Sequence, residues 1–203
     1  MKTSIQTLLT AFVVVVILAS SATTFTSCAK KEDPAPTTTT TSTLTFPGIT
    51  SYTGKVLGDQ ANTALGSYFA TSNGSVYLSG DFATNVSSID LWFFSDPRGT
   101  PTTPTLSSPS ERAAEGFTTN TTGGINYIGD APSNINFASL TAGRLDSMAA
   151  PSTKQVAVGT TVPTGVYSFK NAAGKKGVIK VTAVNFGATS ANNTVTIDVK
   201  VQQ

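Results

Sequence analysis

Three groups of residues have the types and spacing to do chemistry. The first is Asp90-Leu91-Trp92-Phe93-Phe94. On a strand, alternate side chains share a face, so Ile89, Leu91 and Phe93 point one way and Asp90, Trp92 and Phe94 the other. If that second face is wet, it suits a sugar: a ring stacks on a pyranose while the carboxylate takes hydroxyls. If it is dry, Trp92 is a core anchor, the favoured reading, because a sole tryptophan is usually well buried. Asp90 is the point of tension, since an unpaired carboxylate facing a dry core is costly. Either it finds a buried partner, or its face is wet and Trp92 with it.

The second group is Asp59, Asp81, Asp90, Asp96 and Asp130, each at an expected turn or strand end. Calcium takes about six to eight oxygens, and loops of secreted β-proteins supply them. No spacing here matches a calcium loop, and turn-forming aspartates are the commoner case. The third is Glu111 with Glu115, one helical turn apart around Arg112. Paired carboxylates are the minimum for glycoside hydrolysis. Neighbouring turns of a short surface helix project side by side, however, so a helix cap plus surface charge is the better reading.

Absences remove other chemistry. The chain has no histidine and one cysteine, Cys28. Ser-His-Asp and Cys-His catalysis are excluded, as are disulfides and histidine-ligated zinc or iron. No cofactor is expected. The charged fraction is 12%, and without residues 1–27 the chain carries 12 basic against 11 acidic residues. A chain so near neutrality, with no basic face, is not expected to bind nucleic acid.

The elements that must position these groups read as mainly β. Residues 68–72 and 75–78 flank Asn73-Gly74, a strong hairpin signal because both turn residues tolerate positive φ. Residues 88–95 read as a strand stopped by Asp96-Pro97-Arg98-Gly99. Residues 165–170 and 178–184 flank a Gly/Lys loop, residues 171–177. In the last strand Val195, Ile197, Val199 and Val201 alternate with Thr194, Thr196, Asp198 and Lys200, the pattern of a half-buried antiparallel strand. Ser108-Pro109-Ser110-Glu111 has a capping serine, proline at the first helical position and glutamate three after the cap, with Gly116 to end the turn. Phe137, Leu140, Leu145 and Met148 have roughly helical spacing, interrupted by Gly143. Many strands with turn signals at short intervals predict a β-sandwich of jelly-roll or Greek-key type with one or two short helices, spanning residues 46–203.

The N-terminus carries an address. Lys2 precedes an apolar run over residues 8–19, short of the about 20 residues a membrane span needs, then a polar tail. This is the layout of a signal peptide, residues 1–27. The tail ends in Phe25-Thr26-Ser27-Cys28, which resembles the lipobox of bacterial lipoproteins, with Phe25 where that family usually has leucine. The resemblance implies that Cys28 is acylated and becomes the new N-terminus; the alternative is an ordinary secretory signal cut near Ala22, which would leave Cys28 a lone thiol in an oxidising compartment. Cys28-Ala29-Lys30-Lys31-Glu32-Asp33 resembles the tract that follows the lipidated cysteine in surface-exposed lipoproteins of Bacteroidota. There it directs export to the outer face of the outer membrane, which would give Lys30, Lys31, Glu32 and Asp33 that role. The alternative for these four is a solvated charge cluster beside an anchor. Two or more acyl chains would make the anchoring stable, at about 0.8 kcal/mol per buried methylene.

Residues 28–45 have almost nothing to bury. Pro34-Ala35-Pro36 and the threonines from Thr37 to Thr41 form an extended linker, at about 3 Å per residue reaching roughly 50 Å. It serves as a stalk, with or without O-linked sugars. Two shorter resemblances lie further on. Gly174-Lys175-Lys176-Gly177-Val178-Ile179-Lys180-Val181 is similar to stretches of an uncharacterised family of Bacteroidota lipoproteins and implies no site. Asp146-Ser147-Met148 resembles an O-glycosylation sequon of that group, which would make Ser147 a decorated residue.

The expectation is an outer-membrane surface lipoprotein without catalysis, held to the membrane by its lipid, that binds or adheres to a glycan or a protein partner. A structural or accessory subunit of an outer-membrane assembly is the competing class, and a glycoside hydrolase-like enzyme the third.

Overall fold

The computed structural model describes residues 48–98, 102–113, 126–159, 165–187 and 189–203. Its strands are β1 (Ile49–Gly58), β2 (Tyr68–Phe69), β3 (Val76–Tyr77), β4 (Leu91–Asp96), β5 (Thr103–Ser107), β6 (Tyr127–Asp130), β7 (Gln155–Ala157), β8 (Val166–Lys170), β9 (Lys176–Asn185) and β10 (Thr194–Gln202). Two short helices, α1 (Phe82–Asn85) and α2 (Ala142–Ser147), accompany them. The strands form two five-stranded antiparallel sheets, ordered β1-β10-β9-β8-β6 and β3-β2-β4-β5-β7. The fold is the expected β-sandwich.

The alternation read in β10 fills the space between the sheets. Val195, Ile197, Val199 and Val201 are buried against Leu57, Phe69, Leu91, Phe93, Phe169 and Ile179. Phe169 lies opposite Gly177 in the β8–β9 register, and a Cβ on Gly177 would stand 2.2 Å from the ring's Cζ. Only glycine lets that ring cross its neighbour strand.

Part of the outer face of each sheet is covered as well. β3 and β4 both run antiparallel to β2, so they are parallel to each other and need a crossover. That crossover contains α1 between 3-10 turns at Ser79–Asp81 and Val86–Ser88. Its Phe82 packs on Tyr68, Trp92 and Phe94. On the other sheet, Leu140, Leu145 and Met148 pack on the outward Val178, with Ile49, Ile135, Phe137 and Val166 at the margin. Lysines fasten this second cover: Lys176 Nζ donates to the Asp146 and Met148 carbonyls at 2.6 and 2.7 Å, and Lys200 Nζ to the Ala138 carbonyl at 3.0 Å.

Several local readings change in detail. The hairpin turn holds Gly74 at φ 71°, but Asn73 is not at positive φ. Asn73 instead accepts the Ser75 N–H through its side chain at 2.9 Å. The strand expected from residue 88 begins at Leu91, because Val86–Ser88 closes the crossover as a 3-10 turn. Ser108 does cap a turn, with its Oγ accepting from Ser110 N and Pro109 at the first position, but the turn is 3-10. Gly116 lies outside the described residues. The second helix starts at Ala142 behind a Thr141 cap and tolerates Gly143, so Phe137 and Leu140 precede it.

Candidate functional site

Trp92 and Phe94 are fully buried, and Asp90 is 8% exposed. The Trp92 ring stacks on Phe94 at 4.2 Å and 14°, and on Tyr68 at 6.2 Å and 18°. Arg112 caps the cluster, its guanidinium 4.6 Å from the Phe82 ring centre and 5.6 Å from that of Tyr68. Burial pushes the Tyr68 phenol up to about 12, with Arg112 pulling the other way. No ring face is left for a pyranose, so Asp90, Trp92 and Phe94 are not a sugar platform. The crossover through α1 closes the face that such a platform would need.

Asp90 resolves its cost by finding a buried partner. Thr71 donates to its Oδ2 twice, from the backbone N–H at 2.8 Å and from Oγ1. Desolvation still holds the carboxyl above its ordinary range, against the pull of those two bonds. Thr71 Oγ1 in turn accepts from Asn171 Nδ2 at 3.0 Å, and Asn171 Oδ1 accepts the Lys175 N–H at 2.9 Å. This chain runs outward from the β4 entrance, through the β2–β3 turn, to the β8–β9 turn.

It ends at a cleft of about 350 Å³ lined by Thr50, Thr71, Ser72, Asn171, Ala173, Lys175, Val201, Gln202 and Gln203. Four separate segments meet there: the start of β1, the two turns and the end of β10. Lys175 Nζ donates to the Gln203 main-chain oxygen at 2.6 Å, Gln203 Nε2 donates to Thr50 Oγ1 at 3.0 Å, and Gln202 Oε1 accepts the Lys176 N–H at 2.9 Å. The cleft is thus lined by fixed amides and hydroxyls, with Ala173 and Val201 as its apolar members. Sequence reasoning missed it, because each contributor is an ordinary polar turn or strand-end residue with no motif of its own.

The acidic set is dispersed. Asp96 pairs with Arg98 at 2.9 Å, whose hydrogen bonds hold its carboxyl below the ordinary range. Asp81 and Asp130 are exposed, and Asp59 is fully buried with Oδ1 accepting from Ala61 N at 3.0 Å. Among the described residues no group of three or more acidic, histidine or cysteine side chains is placed to hold a metal. Glu111 pairs with Lys154 at 2.9 Å, and Glu115 lies outside the described residues. Ser147 is exposed at the end of α2, its Oγ donating to the Arg144 carbonyl at 2.9 Å. Cys28, Lys30, Lys31, Glu32 and Asp33 also lie outside the described residues. No protein-family model, curated protein or solved structure matches the chain.

Proposed function

We propose that this is a lipid-anchored outer-membrane protein, displayed outward, that binds a ligand with its sandwich and performs no catalysis. Cys28 carries the lipid, the tract Lys30, Lys31, Glu32, Asp33 directs it outward, and the threonine-rich stalk lifts the sandwich clear of the membrane. The observation that supports a binding role is the end cleft, whose walls are held in place by the buried series Asp90–Thr71–Asn171. Polar groups fixed before a ligand arrives lose less entropy on binding. Cells displaying the full chain are expected to retain fluorescent oligosaccharides that cells making the Cys28→Ser form do not. Equal retention by both would overturn the reading.

A protein partner is the second reading, favoured by the part-exposed Val56, Leu65 and Leu78. The edge of β1 argues against strand addition there. A register shift between Tyr52 and Lys55 breaks its pairing, with Gly54 at φ 61°. Bulges of this kind blunt an edge against further pairing.

A further inference from the structure

We infer that the end cleft takes an uncharged, hydroxyl-rich group, a neutral sugar unit, without any aromatic platform; this rests on the binding role proposed above. Charge is the first argument. Among the described residues Lys175 is the only charged side chain lining the cleft, and its ammonium is held by the Gln203 main-chain oxygen at 2.6 Å. The Asp90 carboxylate sits behind Thr71 and does not line the cleft. An anion would find little uncompensated positive charge there, and a cation no exposed carboxylate side chain.

The neutral groups are the second. Asn171 and Gln202 each have their side-chain oxygen fixed by a backbone N–H at 2.9 Å, from Lys175 and Lys176. That bond sets which way each amide N–H₂ points, and one N–H of Asn171 goes to Thr71 Oγ1 at 3.0 Å, so Asn171 has a single N–H left for a ligand. The Ser72 hydroxyl stands on the exposed hairpin turn beside them. The Gln202 amide, the remaining Asn171 N–H and the Ser72 hydroxyl, set side by side, match the vicinal hydroxyls of a sugar. Ala173 and Val201 supply a small apolar surface for its C–H face. The volume of about 350 Å³ lies at the low end of the ~300–1,000 Å³ of small-ligand sites, which limits the occupant to a short piece of glycan.

The test uses the full-length lipidated chain on an array of neutral oligosaccharides and their uronate-bearing counterparts, at low and high salt, beside the variants Ser72→Trp and Ala173→Trp. Both substitutions fill the cleft from exposed turns and leave the buried series intact, which unchanged thermal melts would verify. The expected result is binding to neutral members, nearly independent of salt, that falls about tenfold or more in both variants. Preference for the uronates with a steep salt dependence would overturn the neutral-sugar inference. Sugar binding untouched by either tryptophan would overturn the site while leaving the binding role standing. An array on which nothing binds would overturn the inference, and the cell-retention assay would then decide the broader reading separately.

Discussion

Asn171 donates from Nδ2 to Thr71 Oγ1 at 3.0 Å, tying one sheet to the other across 100 positions of sequence. At the opposite end of the sandwich Asn193 Nδ2 donates to Ser95 Oγ at 2.8 Å. Each end is therefore fastened by a buried amide–hydroxyl bond between sheets. Removing one partner leaves the other unsatisfied, which costs about 1–3 kcal/mol. Asn171→Ala and Asn193→Ala should each lose that much in urea unfolding. Because they share no partner, the double variant should be additive within about 0.5 kcal/mol. A much larger coupling would mean that the two ends are not independent.

Asp90 gives a pH dependence whose sign follows from its raised folded value. Between the ordinary carboxylate range and that raised value the folded state holds a proton that the unfolded chain has lost. Stability contributed by Asp90 should therefore fall as pH rises through this window. Asp90→Asn keeps an oxygen to accept from Thr71 and removes the charge. It should flatten the slope and leave the protein at pH 7 as stable as the parent or more so. A clear loss of stability at pH 7 in the asparagine form would show that the carboxylate is favourable, against the desolvation argument.

Trp92→Ala should cost about 3–5 kcal/mol, the usual range for emptying a buried aromatic site. Thermal melts read this directly. A variant that keeps its melting temperature but loses sugar retention would return Trp92 to the surface and contradict its packing between Tyr68 and Phe94.

Attachment is tested at the other end of the chain. Cys28→Ser should abolish palmitate labelling and move the protein out of the detergent phase. Replacing Lys30, Lys31, Glu32 and Asp33 with alanine should protect the protein from protease added to intact cells. Equal digestion of both forms would leave the tract as solvated charge.

What was legible in the sequence is what short-range pattern encodes. The period-two alternation of β10 and the glycine of the β2–β3 turn are local, and both appear where they were read. β1 went unread because it is an edge strand whose mixed burial and Gly54 bulge break the alternation. β4 was ambiguous for a different reason. Its two apolar faces are both covered, one by the facing sheet and one by the crossover through α1, and the alternation of the strand does not show that Phe82, though close in sequence, folds back over Trp92. The cleft was the least legible part. Thr50, Ser72, Asn171 and Gln202 meet only once both sheets have formed, and each alone is a commonplace polar residue.

The pairing of Ile49 with Gln202 sets an order of events. Among the described strands β1 pairs with β10 alone, so its sheet cannot be completed until residues 194–202 have been made. Contacts this remote in sequence are slow to form, since a long loop must close before they return any free energy. A growing chain of this sequence therefore keeps β1 unpaired in its sheet until β10 is available. Until then the edge of β9 that β10 will cover and the backbone groups of β1 are both open to water, so the same late segment closes two ladders at once.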